Sequence, residues 1–289
     1  MSKIEWTRND DGTEGKTWNP LAGCSVVSPG CTNCYAMRMA ARIERMQPDG
    51  HYKGLTKRVN GNPVWTSKIA RAPDKLFNAP LKWRKPTRVF VNSMSDLFHE
   101  AVADEWIDEI FKIMAQCPQH TFQILTKRPA RMRAWCVKNA PVPYPQIWLG
   151  VSVEDQARAD ERIPLLLDTP AAVRFISAEP LLGPLDIAQY MHKRAGDGGA
   201  GLHPMWWAEK RLQWVIVGGE SGPGKRPVNL GWMRDIRDQC KAASAPLFVK
   251  QIDKKIPIPD DLMIREYPVT DDAGLNVPPS INQQGESEP

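Results

Sequence analysis

The sequence predicts an α/β protein, a partial or complete (β/α) barrel of parallel strands, on three observations. Short apolar runs of β character alternate with amphipathic helical segments from residue 73 onward, the pattern of a parallel sheet covered on both faces. One run after another ends in polar or charged residues that a turn does not require. A loop of three cysteines holds the matching position after the first extended segment, and parallel α/β folds bind their ligands at these strand ends.

Taken in order, residues 1–23 carry Trp6, Trp18 and Asn19-Pro20 and read as an extended lead into the cysteine loop. A helix begins at Tyr35, with apolar residues at helical spacing through Ile43. Residues 47–65 hold Pro48, Gly50, Gly54, Gly61 and Pro63 and read as an irregular polar insertion, a surface loop in preference to a lid. Helices are then expected over 74–83, 104–117, after Pro129, and over 156–167 and 230–243. Strands are expected over 87–91, 121–125, 146–151, 172–176, 213–217 and 246–249. With the segment before Cys24 this makes about seven β units, a number consistent with an open or closed barrel. Residues 190–211, with a glycine-rich run and Trp206-Trp207, break the rhythm as an insertion. The expected organisation is one domain over 1–253 and a tail over 254–289 with a disordered end.

Composition narrows the class. Of 289 residues 42% are hydrophobic and 25% charged, as in ordinary globular proteins. Thirty-eight basic residues against 33 acidic ones give a formal charge of +5; as a total this permits contact with nucleic acid without arguing for it. No apolar run reaches the length of a membrane span, and Met1-Ser2-Lys3-Ile4-Glu5-Trp6 lacks the form of a signal peptide. A reducing cytosol is therefore the expected compartment, where clustered cysteines read as metal ligands before disulfides. Cys117, Cys136 and Cys240 are isolated and read as small core hydrophobes.

The cysteine loop, Gly23-Cys24-Ser25-Val26-Val27-Ser28-Pro29-Gly30-Cys31-Thr32-Asn33-Cys34-Tyr35, has the spacing C-x6-C-x2-C. Thiolates are the natural ligands of zinc and of iron–sulfur clusters. A closed structural zinc site takes four ligands, whereas three cysteines with no fourth Cys or His nearby leave one metal position open. The other strand ends present Asn92-Ser93-Met94-Ser95-Asp96, Thr126-Lys127-Arg128, Ser152-Val153-Glu154-Asp155, Ser177-Ala178-Glu179-Pro180, Gly218-Gly219-Glu220-Ser221-Gly222 and Lys250-Gln251. Asp96, Ser93 and Ser95 are equally suited to capping a helix. Lys127 and Arg128 stand where a helix dipole disfavours cations, which suggests an anion to hold. Glu179 and Glu220 lie in loops with no local capping role. Gly218 through Lys225 is not a phosphate loop, because Arg226 stands where Ser or Thr is required. No G-x-S-x-G elbow occurs, and His99, the histidine nearest the rim, reads as structural.

Three cysteines on a loop after the first strand of a (β/α) barrel resemble the radical S-adenosylmethionine enzymes. More narrowly, the chain to about residue 251 resembles a phage-borne family of uncharacterised, radical-SAM-like proteins with a three-cysteine motif. The residues that carry this are Ile4-Glu5-Trp6-Thr7, Thr17-Trp18-Asn19-Pro20 with the cysteine loop, Asn92 through Phe98, and Thr126-Lys127-Arg128-Pro129. Trp148 through Glu154, Ser177 through Pro184, Val217 through Pro223, Arg237-Asp238-Gln239-Cys240 and Lys250-Gln251 complete it. The resemblance implies a radical-SAM-like barrel with a four-iron four-sulfur cluster on Cys24, Cys31 and Cys34. It also implies S-adenosylmethionine as second cofactor, across Tyr35, Ser93, Asp96, Glu154 and Lys250. Glu179, Glu220 and Lys127 are the candidate catalytic groups, and Lys127, Arg128 and Lys250 the candidates for an anionic substrate part. The superfamily's own Gly-Gly-Glu segment follows its second strand, so that role is not carried to Gly218-Gly219-Glu220. The expected substrate is a nucleotide or a nucleic acid, with a partner protein at the site left open. The alternatives are a nucleic-acid-binding protein with structural zinc, its fourth ligand His99 or Cys240, and a divalent-metal hydrolase using Asp96, Glu154 and Glu179.

Overall fold

A parallel sheet whose strands follow one another in chain order curls in one sense, because every right-handed crossover lands on the same face. That is the arrangement found in the computed structural model, which describes residues 4–192, 210–253 and 255–268. The strands are β1 (Lys16–Trp18), β2 (Leu21–Ala22), β3 (Thr56–Val59), β4 (Asn62–Trp65), β5 (Ala70–Arg71), β6 (Arg88–Val91), β7 (Thr121–Thr126), β8 (Ile147–Ser152), β9 (Val173–Ala178), β10 (Trp214–Gly218) and β11 (Leu247–Gln251). The helices are α1 (Tyr35–Met46), α2 (Asp74–Phe77), α3 (Asp104–Ala115), α4 (Pro129–Asn139), α5 (Gln156–Leu167) and α6 (Leu230–Ala242). Seven strands form one sheet in the order β1-β6-β7-β8-β9-β10-β11, every pair parallel. The terminal strands β1 and β11 do not pair. Of the two forms left open by the sequence, this is the partial barrel.

The pleat sends alternate side chains to opposite faces. Val89, Val91, Phe122, Ile124, Leu149, Val151, Ile176 and Val217 pack outward into the helix layer with Ile107, Ile110, Met132, Ile163 and Met233. Phe90, Trp148, Val173, Phe175, Trp214, Ile216 and Phe248 line the concave face. Trp6 fills that concavity, its ring 4.7 Å from Phe90, 6.2 Å from Phe175 and 6.1 Å from Trp214. Tyr267 closes the same end against Trp214 and Phe248, while the Arg88 guanidinium lies 4.4 Å over its ring. One tyrosine thus joins β6 to β11 across the open side. Gly150 leaves the space that the Phe175 ring occupies, since a Cβ there would lie 2.6 Å from it. The strands' N-terminal ends are plugged with aromatic rings, and the carboxyl ends remain as the mouth.

Three expectations need correction. Within 47–65 the chain forms the hairpin β3–β4, paired Val59 with Asn62 around Asn60-Gly61. Both turn residues take positive φ, 48° and 78°, which is what the Asn-Gly pair provides. The helix expected over 74–83 stops at Phe77 and resumes as a 3-10 turn over Ala79–Lys82, because Pro80 lacks the amide the helix needs. Beyond 253 the chain continues to pack: Val249 donates its amide to Ile264 O, Glu266 its own to Leu247 O, and Leu262 is fully buried. The 190–211 insertion falls almost wholly outside the described residues, as does the end of the tail.

Candidate functional site

The cysteine loop leaves β2 beside the end of β6. Gly23 makes the junction with φ 98°, donating its amide to Met94 O, and a Cβ at this position would lie 2.1 Å from Lys68 O. Only glycine fits both demands. A 3-10 turn, Pro29–Cys31, carries the second cysteine, and Cys34 caps α1. All three thiols are free, and Cys24 and Cys34 pack against the apolar cluster of Ala36, Met37, Tyr52, Trp65 and Met94. Burial pushes the Cys24 thiol up to about 12; nearby Asp96 adds to this and Arg128 opposes it. Burial also raises Cys34, against the Ala36 and Met37 amides and Lys127. Cys31 lies near enough to push both further up. Thiolates in this pocket therefore need added positive charge.

Arg128 is the nearest fixed cation. Its Nη1 donates to Asp96 Oδ2 (2.9 Å) and reaches Cys24 Sγ (3.9 Å), its Nη2 donates to Ser25 Oγ (2.6 Å), and its Nε donates to Glu100 (2.9 Å). The anion expected from the misplaced cation is thus this chain's own pair of carboxylates. Asp96 is buried and saturated: Thr126 Oγ1 (2.6 Å), Phe98 N (3.0 Å) and Lys127 N (3.0 Å) donate to it besides Arg128. Both faces of His99 are engaged. Nδ1 accepts the Ala101 amide (3.0 Å), which assigns the proton to Nε2 and makes it the donor to Ser25 Oγ (3.0 Å). Burial, then Arg128, lowers its pKa. A donor imidazole cannot take a proton from Ser25, so the pair is no nucleophile and base.

Glu154 ties the loop to the end of β8. It is fully buried, with Ser28 Oγ and Gly30 N (3.3 Å) donating to Oε1 and Arg162 Nη1 (3.1 Å) to Oε2; Lys127 Nζ stands 3.9 Å off. Burial opposes its charge, but Lys127, Ser28, Arg162 and Gly30 outweigh it and hold the carboxyl below its usual value. Glu220 makes the second tie. Asn33 Nδ2 (2.9 Å) and the Arg226 amide (2.8 Å) donate to Oε2 and Arg226 Nη2 (2.7 Å) to Oε1, and against burial these lower its pKa. Arg226 also donates to Pro29 O (3.0 Å), and Arg38 to Pro223 O (2.7 Å), so the loop after β10 clasps the cysteine loop.

Glu179 and Lys250 form a different feature, an ion pair of 2.6 Å at the mouth with each side chain about a fifth exposed. A Cβ on Gly218 would touch both, which places the pair across β10 on the concave face. Tyr35 is half-exposed and donates its phenol to Ser93 O (3.0 Å), and Ser93 Oγ bonds Asn19 Oδ1 (3.1 Å). The mouth therefore collects the sequence-predicted set, but in three groups: Asp96 with Lys127 and Arg128, Glu154 and Glu220 as loop anchors, and Glu179 with Lys250. Cys240 is not among them; it is buried in the helix layer with Sγ 3.9 Å from Met191 Sδ, and Cys117 and Cys136 share that core. Ser25, Ser28, Asn33, Glu100, Arg162 and Arg226 escaped the sequence reading. Arg162 had a signal, since it stands on the apolar stripe of α5 with Ala159, Ile163 and Leu166.

Among the described residues no three of His, Cys, Asp and Glu converge on a position for a single metal ion. In a four-iron cluster each cysteine binds a different iron, so cluster ligands stand further apart than ligands of one ion. The donor set, three desolvated thiols beside Lys127 and Arg128, fits the cluster. A family model described as "Protein of unknown function (DUF5131)" matches residues 1–263. No curated protein and no solved structure matches the chain.

Proposed function

The chain belongs to this family of unknown function, and from the mouth itself we propose that it is a radical S-adenosylmethionine enzyme. The observation that carries the reading is the cysteine loop: Cys31 buried and Cys24 and Cys34 packed on an apolar cluster at the carboxyl ends of a curled parallel sheet, anchored at both flanks by buried carboxylates. When bound, a four-iron four-sulfur cluster on Cys24, Cys31 and Cys34 supplies the one-electron cleavage of S-adenosylmethionine to a 5′-deoxyadenosyl radical. Lys127 and Arg128 lie beside the thiols and offset the negative charge gathered there. Asp96 holds Arg128 over Cys24, so it is a positioning residue. Glu154 and Glu220 fix the loop. The exposed ring of Tyr35 offers an aromatic face to the adenine, and Glu179 with Lys250 offers opposite charges to the cofactor's amino and carboxylate groups.

Among the described residues neither fourth ligand named for the rival structural zinc stands free beside the loop: both nitrogens of His99 are engaged, and Cys240 lies in the helix layer. Anaerobic purification, metal and sulfide analysis, and reduction with dithionite in the presence of S-adenosylmethionine test the reading. About four irons per chain and formation of 5′-deoxyadenosine are expected, and Cys31→Ala should abolish both. Stoichiometric zinc without cofactor cleavage would overturn it.

A further inference from the structure

The cations at the strand ends each face a carboxylate of this chain, and the pair assigned above to the cofactor, Lys250 with Glu179, is no exception. Arg128 is held by Asp96 and Glu100, Lys250 by Glu179, Arg162 and the nearby Lys127 by Glu154, and Arg226 by Glu220. An anionic substrate must find its charge complement elsewhere, and the chain places that complement beside the mouth. The overall excess of +5 is local: residues 35–71 carry eight Lys and Arg against two Asp and Glu, a net +6, while the other 252 residues carry 30 against 31. This stretch is one lobe, α1 with the hairpin β3–β4, packed on its own apolar cluster of Met37, Tyr52, Leu55 and Trp65. Arg42, Arg45, Lys57, Arg58 and Lys68 are exposed, and none has an acidic partner among the described residues. At physiological salt the field of a charge decays over about 8 Å, so a polyanion responds to the lobe and not to the whole-chain sum.

A second feature separates this face from a merely solvated one. Tyr35 and Met39, one turn apart on α1, are 49% and 42% exposed, and Val26 and Val27 of the cysteine loop are 49% and 43% exposed. Apolar and aromatic surface thus lies on the cysteine loop and the first turns of α1, with Arg42 and Arg45 following on the same helix. Cations that track phosphates beside a ring on which bases stack are the two components of single-strand recognition. A duplex keeps its bases stacked on one another and has no use for the second component.

We propose that the α1–hairpin lobe is the docking surface for a single-stranded nucleic acid and leads it to the cysteine mouth. That chemistry occurs at the mouth rests on the radical reading above; the binding does not. Fluorescence anisotropy of a labelled 20-mer oligothymidylate with the full chain provides the test. If five cations each neutralise a phosphate, log K falls against log salt with a slope of about −3.5, so affinity drops about 100-fold between 50 and 200 mM salt. K57Q/R58Q should lessen the slope by about 1.4. K82Q/K85Q, two exposed lysines ahead of β6 at the opposite end of the sheet, should leave it unchanged. Y35A/M39A should weaken binding with the slope retained. The proposal falls if the oligonucleotide fails to bind at 50 mM salt, if both lysine and arginine variants act alike, if Y35A/M39A binds unchanged, or if a duplex binds as tightly. Iron and cofactor cleavage are read on the same preparations. Iron without oligonucleotide binding refutes the docking surface alone, and binding without iron refutes the cluster alone.

Discussion

Replacing Glu154 by Gln isolates the charge that joins the cysteine loop to the sheet. Glu154 is fully buried and faces Arg162, itself 2% exposed, at 3.1 Å. Gln keeps the shape and an oxygen for Ser28 and Gly30 but leaves Arg162 buried without a counter-charge. Breaking a buried pair this way costs about 3–5 kcal/mol, and the weakened bonds from Ser28 and Gly30 add about 1 kcal/mol. Lys127, 3.9 Å away and 18% exposed, loses the same counter-charge and adds to the loss. With a urea dependence of about 3 kcal/mol/M the unfolding midpoint should fall by more than 1 M, the slope unchanged. Adding Arg162→Met removes the stranded cation and should restore most of the loss, a coupling of at least about 2 kcal/mol. On the cluster reading iron retention behaves differently, because the charge that strengthens the bonds from Ser28 and Gly30 is absent in both variants: it should fall in E154Q and not recover in E154Q/R162M. A midpoint shift below about 0.3 M, or simple additivity of the two substitutions, would refute the buried pair as the strut of the loop.

Other outcomes follow from the same structure. Trp6→Ala removes the ring that fills the concave face and should cost about 3–5 kcal/mol in thermal or urea unfolding, with iron binding at the far end intact. Gly150→Ala drives a methyl into the Phe175 ring and should destabilise by about 1–3 kcal/mol. Glu154 and Glu220 titrate below the 4.5 of a free carboxyl, so each contributes stability that is complete above pH 4.5 and lost as pH falls through its lower folded value. The urea midpoint should accordingly be flat from pH 7 to about 5 and fall below 4.5, less steeply in Glu220→Gln. Asp96→Asn frees Arg128 from its place over Cys24; on the cluster reading iron content should fall several-fold and Cys24→Ala should abolish it, and equal iron in Asp96→Asn and wild type would deny Arg128 the proposed charge-offsetting role.

The sequence by itself determined the strands of the seven-stranded sheet, since buried parallel strands are short apolar runs and seven β units were legible between Trp18 and Val249, while the four short strands of the two smaller sheets were not. It also placed the polar residues at the strand ends. It stopped five of the six expected strands early, because apolarity ends at residues such as Leu125, Val151 and Ile176 while the backbone ladder runs on to Thr126, Ser152 and Ala178. The cysteine loop was visible for a similar reason: its three thiols lie within eleven residues of one another, so their grouping shows in the chain itself. Only the tertiary structure decided what the mouth's charges do. Glu154 meets Ser28 across 126 residues, Asn33 meets Glu220 across 187 and Arg226 meets Pro29 across 197. No local pattern records such pairs, because a carboxylate's partner is whatever the curl of the sheet brings beside it. The same curl separates Cys240 from the loop cysteines and sets the aromatic plug opposite the mouth. Tertiary packing likewise turned Lys127 and Arg128 from apparent substrate cations into internal partners, while the lobe of α1 and its hairpin keeps exposed cations without acidic partners.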